Sequence, residues 1–291
     1  MARRSTASDG SDTADITDNA KPDAIRTRLP IMSDTHAAAG AANTSPVIEA
    51  TLGADVAIHC GDLTQESKLA DFQIDINLLR SISAPLKLVI AGNHDFTLDL
   101  PVFRNKVEEA CRLQSIEQQL IARATTVNMA RDAGILFLDE GNYDFHLENG
   151  ALLKVYASPF TPSLGDWGFR YAPQQGHCFT IEDVTHLVIT PGPPLGICDY
   201  VRNPGAPPRA GCGSLFAAHG KRTAGEGDGC VITKHGLRDS LPLHHGKQTL
   251  YVNAAIEDPS PSHSPRFPWL VELELRRHTT EHATALDLAP N

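Results

Sequence analysis

Three short apolar runs each end in a polar signature, and their spacing restricts the folds open to this chain. Residues 86–91 run into Gly92-Asn93-His94-Asp95, residues 31–33 into Asp34-Thr35-His36, and residues 55–60 into Gly61-Asp62. Apolar runs of this length, closed by a glycine or a polar turn, read as buried strands. Asp34 and Asp62 are 28 residues apart, and Asp62 and Asn93 are 31 apart. Each interval matches one β-α-β unit of roughly 30 residues. Such units place successive strands side by side and parallel, and ligands bind in the crevice beyond the strand ends. One rim is therefore expected to collect Asp34, His36, Asp62, Asn93 and His94.

The chemistry of that rim follows from residue type. Residues i and i+2 of an extended chain point the same way, so Asp34 and His36 can grip one cation together. Asp62 comes from the neighbouring strand and can bridge to a second ion, to which Asn93 offers an amide oxygen. Carboxylate, amide and imidazole ligands suit Mn, Fe, Zn or Ni and do not choose among them. Each residue also has an ordinary reading: a helix cap for Asp34, a surface position for His36, turns for Asp62 and Asn93, a core histidine for His94. Three such signatures at matching strand ends point instead to a metal site holding one or two divalent ions.

Asp-x-His, Gly-Asp and Gly-Asn-His-Asp, in that order, resemble the calcineurin-like metallophosphoesterases. Further stretches narrow the likeness: Ala157-Ser158-Pro159-Phe160-Thr161-Pro162, Trp167-Gly168-Phe169 and Gly192-Pro193-Pro194-Leu195-Gly196. These resemble the metallophosphoesterase-domain-containing branch, which is similar to class III cyclic-nucleotide phosphodiesterases. The resemblance implies an α/β fold, a two-sheet β-sandwich flanked by helices. It implies a metal-dependent phosphoester hydrolase, a phosphodiesterase or phosphomonoesterase, whose paired ions activate a hydroxide. It also implies that His94 protonates the leaving oxygen.

Two family elements are altered. Where the family carries a His before Gly-Pro-Pro, this chain has Pro191, which offers no side-chain donor. The family's Gly-His-x-His element is absent from the sequence. The remaining stretch Leu215-Phe216-Ala217-Ala218-His219-Gly220 offers His219 as a substitute ligand. Only seven positions separate Cys212 from His219, too few for a helix and a strand, so the fold is expected to be degraded near 212–235. The alternative to an active hydrolase is thus a catalytically impaired metal- or nucleotide-binding homologue.

The rest of the chain is read more coarsely. Residues 1–27 carry Ser, Thr, Asp and Ala without apolar periodicity and are expected to form a disordered tail. One domain is expected over 28–275 and a second tail over 276–291. A helix is expected over 67–81, a single long helical stretch over 101–133, and a hairpin around Glu148-Asn149-Gly150. Residues 47–52 suggest a helical turn. His59 alternates into the core, Trp167 is suited to stacking on a substrate base or to packing, and Asn253 to the site or to a turn. His235, His244 and His245 read as solvated.

Charge and cysteine usage bound the partners. A formal net charge of -10 argues against nonspecific binding to nucleic acid or anionic membrane, which needs a basic surface. A small phosphoester, nucleotides included, remains suitable because metal ions supply local positive charge. Six cysteines without a C-x-x-C pair read as free thiols of a cytoplasmic, reducing compartment.

Overall fold

The computed structural model describes residues 24–37, 51–111, 117–200, 209–222, 229–232, 248–256 and 268–278. In chain order the elements are β1 (Ala24–Met32), β2 (Val56–His59), α1 (Leu69–Ser81), β3 (Leu86–Val89), a 3₁₀ turn (Phe96–Leu98), α2 (Leu100–Cys111), α3 (Glu117–Asp132) and β4 (Ile135–Phe137). There follow β5 (Gly141–His146), β6 (Leu152–Ala157), β7 (Thr161–Pro162), β8 (Arg170–Tyr171), β9 (Leu187–Ile189), α4 (Gly213–Arg222), β10 (Gly229–Ile232), β11 (Gln248–Tyr251) and β12 (Trp269–Arg276).

A five-stranded sheet of order β12-β1-β2-β3-β4 and a three-stranded sheet of order β5-β6-β9 form the body. Strands β1 to β4 are parallel, so their C-terminal ends line one edge. Strand alternation then builds three cores. Leu29, Ile31, Val56, Ile58, Leu88 and Ile90 face Leu153, Val155, Ala157 and Ile189 between the two sheets. Met32, Ala57 and Val89 face the other way, onto Phe72, Ile76 and Leu79 of α1 and Ala130 of α3. Tyr156, on the outer face of the second sheet, packs with Phe179, Cys212 and Leu215. The result is the helix-flanked two-sheet sandwich expected from the sequence.

Several boundaries move. Strand β1 begins at Ala24, inside the stretch read as a tail, because Ala24 to Ile31 pair in antiparallel register with β12 from Arg276 back to Trp269. Pro30 lies within this strand, but the ladder to β2 starts only at Ile31, so its missing amide falls at the ladder's entry. Order also continues past 275, where the amide of His278 donates to the Gly150 carbonyl at 3.0 Å. The helical stretch over 101–133 is two helices, α2 and α3. Residues 47–50 of the expected helical turn lie outside the described residues.

The expectation for 212–235 is corrected more substantially. A ten-residue helix, α4, starts at Gly213 and runs through position 219, and β10 follows and pairs in parallel with β11. The count from Cys212 to His219 assumed that the helix had to end before His219. A helix therefore forms here although the Gly-His-x-His element is missing.

Candidate functional site

The C-terminal ends of β1, β2 and β3 pass into loops that bond to one another. The amide of Asp34 donates to the Gly61 carbonyl (3.1 Å), that of His36 to the Asp62 carbonyl (3.2 Å), and that of Ala37 to the Leu63 carbonyl (2.9 Å). The turns are sharp. Asp34, His36, Ala37 and Asp62 all have positive φ, at 54°, 45°, 57° and 55°. Such values are uncommon outside glycine and concentrate where function holds the backbone in place. Gly92 is required here, since a Cβ on it would lie 2.3 Å from Asp62 Oδ1 and 2.4 Å from the Asp62 nitrogen.

These loops bring Asp34, His36, Asp62 and His94 together. His36 Nε2 lies 3.9 Å from Asp34 Oδ1. The His94 amide donates to Asp62 Oδ1 at 2.9 Å. The His36 and His94 rings meet edge to face, with centroids 4.9 Å apart. Both imidazoles are oriented by backbone carbonyls: Nδ1 of His36 lies 2.9 Å from the Thr64 oxygen, and Nδ1 of His94 lies 2.8 Å from the Gln65 oxygen. A carbonyl only accepts, so Nδ1 carries the proton in each ring. In the neutral rings Nε2 then holds the lone pair, the tautomer suited to a metal ligand or a proton shuttle.

Burial shapes the electrostatics. The Asp62 carboxyl is pushed up to about 7, first by desolvation and then by the Asp95 charge, against which the His94 amide works. Burial and the Asp34 charge push the Cys60 thiol up to about 12. Asp95 is fully buried and accepts from the amides of Gly92, Leu63 and Thr64 and from the Thr64 hydroxyl, at 2.9 to 3.2 Å. It ties the Gly-Asp loop to the Gly-Asn-His-Asp loop.

A second buried network lies behind the first loop, and the sequence reading missed it. The Gly61 amide donates to His59 Nδ1 at 3.3 Å. His59 Nε2 lies 3.0 Å from Thr35 Oγ1, and that hydroxyl donates to Asp75 Oδ2. The direction of these bonds requires a neutral His59, in keeping with burial lowering it to about 3. Asp75 was legible in principle, as a carboxylate within the apolar stripe of α1 formed by Phe72, Ile76 and Leu79. His59 is fully buried, as its alternation indicated.

The other expected residues fall as follows. Asn93 lies between Gly92 and His94, and its backbone carbonyl accepts from the Gly168 amide at 2.9 Å. Trp167 packs on His94, with ring centroids 4.3 Å apart. Asn253 serves a turn, its Oδ1 accepting from the Ala255 amide at 3.2 Å. Pro191 stands just past the end of β9, in the second sheet. His219 is carried by α4, and its side chain lies outside the described residues, as do His235, His244 and His245.

Asp34, His36 and Asp62 fit one divalent cation by the chemistry of their donors, two carboxylates and an imidazole whose tautomer is already set. They do not by themselves make a finished cage: among the described residues no group of three His, Cys, Asp or Glu side chains is preassembled for a metal.

A profile of the calcineurin-like phosphoesterases matches residues 27–167, which hold all three signatures. Over these residues the chain is similar to that family. Among curated calcineurin-like relatives, metallophosphoesterase domain-containing protein 1 of Homo sapiens is 28% identical over 233 residues, covering 79% of this chain and 66% of its own length. The Mus musculus protein of that name matches equally. A protein of Emericella nidulans named "Probable rhamnogalacturonate lyase C" is 29% identical over 175 residues, 59% of this chain but 14% of that protein. The chain thus spans less than two thirds of these relatives. A solved structure superposes at a TM-score of 0.44 and 10% identity, over 72% of this chain and 84% of its own.

Proposed function

We propose that the chain hydrolyses a small phosphoester, with nucleotides among the candidate substrates, at the Asp34-His36-Asp62-His94 cluster. The observation that carries this reading is the pair of imidazoles tied at Nδ1 to the Thr64 and Gln65 carbonyls beside two clustered carboxylates. Asp34, His36 and Asp62 would hold a divalent cation of the Mn, Fe, Zn or Ni class, and Asp62 and Asn93 would offer donors to a second. A bound cation supplies positive charge against the phosphoryl oxygens and acidifies water. His94 acts through Nε2: as the imidazolium, with Nδ1–H held by the Gln65 carbonyl, it gives the Nε2 proton to the leaving oxygen and returns to the neutral Nδ1–H ring. The Gln65 carbonyl keeps that nitrogen available by occupying the other. Cys60, Cys178, Cys198 and Cys212 are free thiols, in line with a cytoplasmic setting. Among the described residues no helix is long and apolar enough to cross a membrane.

A specific observation favours a second reading, that of an impaired homologue. Pro191 stands where the family places an imidazole, and no Gly-His-x-His is present. Metal analysis of the purified protein, alongside Mn-dependent hydrolysis of bis-p-nitrophenyl phosphate, tests both. Turnover that His94→Asn lowers by about 100-fold or more supports the hydrolase, since general acid catalysis contributes roughly 10²–10⁴-fold. Bound metal without turnover supports the impaired homologue. Absence of both sinks the metal-site reading.

A further inference from the structure

We infer that Trp167 is a positioning residue for His94. This rests on the reading of His94 as the proton donor. The indole lies against the imidazole at 4.3 Å between centroids, with 40° between planes, while His36 meets the same ring edge-on at 4.9 Å. The His94 ring is thus bounded by two aromatic neighbours and tied at Nδ1 by the Gln65 carbonyl. Together these leave it one orientation.

The loop carrying Trp167 is fastened on both sides of the indole. Lys106 Nζ donates to the Asp166 carboxylate at 2.6 Å and to its carbonyl at 2.7 Å. The same ammonium stands 5.0 Å from the centre of the Phe96 ring. After the indole, the Gly168 amide donates to the Asn93 carbonyl at 2.9 Å, and the Phe169 amide donates to Asp99 Oδ2 at 2.6 Å. Position 168 admits only glycine, because a Cβ there would lie 2.7 Å from Phe96 Cα. Phe169 itself has a φ of 47°. A surface tryptophan needs none of these fastenings to bury its ring. Their joint effect is to place a flat surface on one imidazole, leaving the indole 37% exposed.

The mechanism is steric and needs no bound group. The tilted indole contact restricts rotation of the imidazole and shields part of its face from water, so the Nδ1–H bond to Gln65 is kept. Without the indole the ring gains rotamers and water competes for Nδ1. Nitrogen NMR of the metal-free full chain reads this directly. The His94 resonance is identified by its loss in His94→Asn. The wild type and Trp167→Phe are expected to show the Nδ1–H tautomer, and Trp167→Ala a mixture of tautomers. Lys106→Met, which loosens the loop away from the ring, is expected to fall between them and serves where Trp167→Ala folds poorly.

Hydrolysis with Mn gives the second readout. A proton donor matters most for a poor leaving group. Trp167→Ala is expected to lower kcat about 10-fold on methyl phosphate, and about 2-fold or less on p-nitrophenyl phosphate, at unchanged KM. Phenylalanine is expected to restore the rate. A single Nδ1–H tautomer retained in both Trp167→Ala and Lys106→Met overturns the positioning role, whatever the rates. A tautomer mixture with equal losses on both substrates keeps the positioning role and removes His94 as the donor. Absence of hydrolysis by the wild type overturns the proposed function, and the tautomer still decides whether Trp167 orients the ring.

Discussion

Two clusters of carboxylate, imidazole and hydroxyl groups stand at strand ends, one on each sheet, and they are built in opposite ways. Beyond β6, Glu140 Oε1 accepts from the Tyr156 hydroxyl at 2.9 Å, the Ser158 hydroxyl at 2.8 Å and His177 Nε2 at 2.7 Å. His177 is stacked on Phe160 and Tyr171, with centroids 4.8 and 5.1 Å away. Its amide bonds to the Ser214 hydroxyl at 3.1 Å, which ties the cluster to α4. Donors converge on one carboxylate, and the charge is answered from within. At the ends of β1 to β3 the carboxylates converge on each other instead. Asp62 is raised first by burial and then by the charges of Asp95 and Asp34. Similar side chains thus make a cross-link in one place and a cluster of mutually repelling carboxylates in the other.

Metal affinity tests that contrast most strongly. Asp34→Asn and Asp62→Asn are each expected to weaken Mn binding by more than about 100-fold, beyond the 10–100-fold typical of partners outside the ligand shell. The pair also counts ions. Where one cation is bound, the two variants lose comparable affinity. Where Asp62 bridges two, Asp62→Asn abolishes both binding events and Asp34→Asn only one. Calorimetric titration checks this, and Mn binding left intact in both variants breaks the comparison.

The second cluster should respond in stability and not in metal binding. His177→Ala removes a charge-assisted hydrogen bond and three aromatic contacts, at an expected cost of about 2 kcal/mol. Urea unfolding measures it, and Mn affinity is expected to stay within about 2-fold of wild type. A loss of Mn affinity as large as that of Asp34→Asn would mean that the two clusters form one site.

Most of the cleft was legible because its chemistry sits on contiguous motifs at strand ends, where i and i+2 directionality and β-α-β spacing act over short distances. What escaped depends on contacts distant in sequence. Ala24 to Thr27 carry no signal of their own and become a strand only by pairing with β12, where Arg26 meets Glu272, 246 residues away. Asp75 looks like a polar interruption of a helical stripe until the fold sets Thr35 above it. Helix α4 was missed because its length was reckoned against an assumed ligand role for His219. Trp167 reads from the sequence as suited either to a substrate base or to packing, and the fold packs it on His94.

Behind the cleft, Thr35→Val tests whether the loop depends on its buried support. Valine keeps the shape but removes the donor to Asp75 and the acceptor for His59, leaving two buried polar groups without that partner. The expected cost is about 1–3 kcal/mol. Because Thr35 lies between Asp34 and His36, Mn affinity is expected to fall as well, by less than in either aspartate variant. Lost stability with unchanged Mn affinity would show that the network supports the sheet and not the ligands.

The smallest expected effect concerns Pro191, which stands past β9 on the sheet that carries the satisfied cluster. Pro191→His restores the imidazole that the family places before Gly-Pro-Pro. It also frees φ at this position and relieves the restriction on Thr190, whose hydroxyl bonds to the Gly192 carbonyl at 2.9 Å. The new ligand joins Asp62 and Asn93, but the Gly-His-x-His ligands remain absent. A second Mn event is therefore expected to appear weakly, with the first shifted by less than about 3-fold, far below the aspartate effects. Any gain in turnover should be of the same small order, because one imidazole does not complete a second ion's shell. Titrating Mn into both proteins separates the cases. Unchanged stoichiometry and affinity would mean that position 191 does not face the cleft. The contrast between an open cluster on one sheet and a closed one on the other would then extend to the whole of the second sheet's rim.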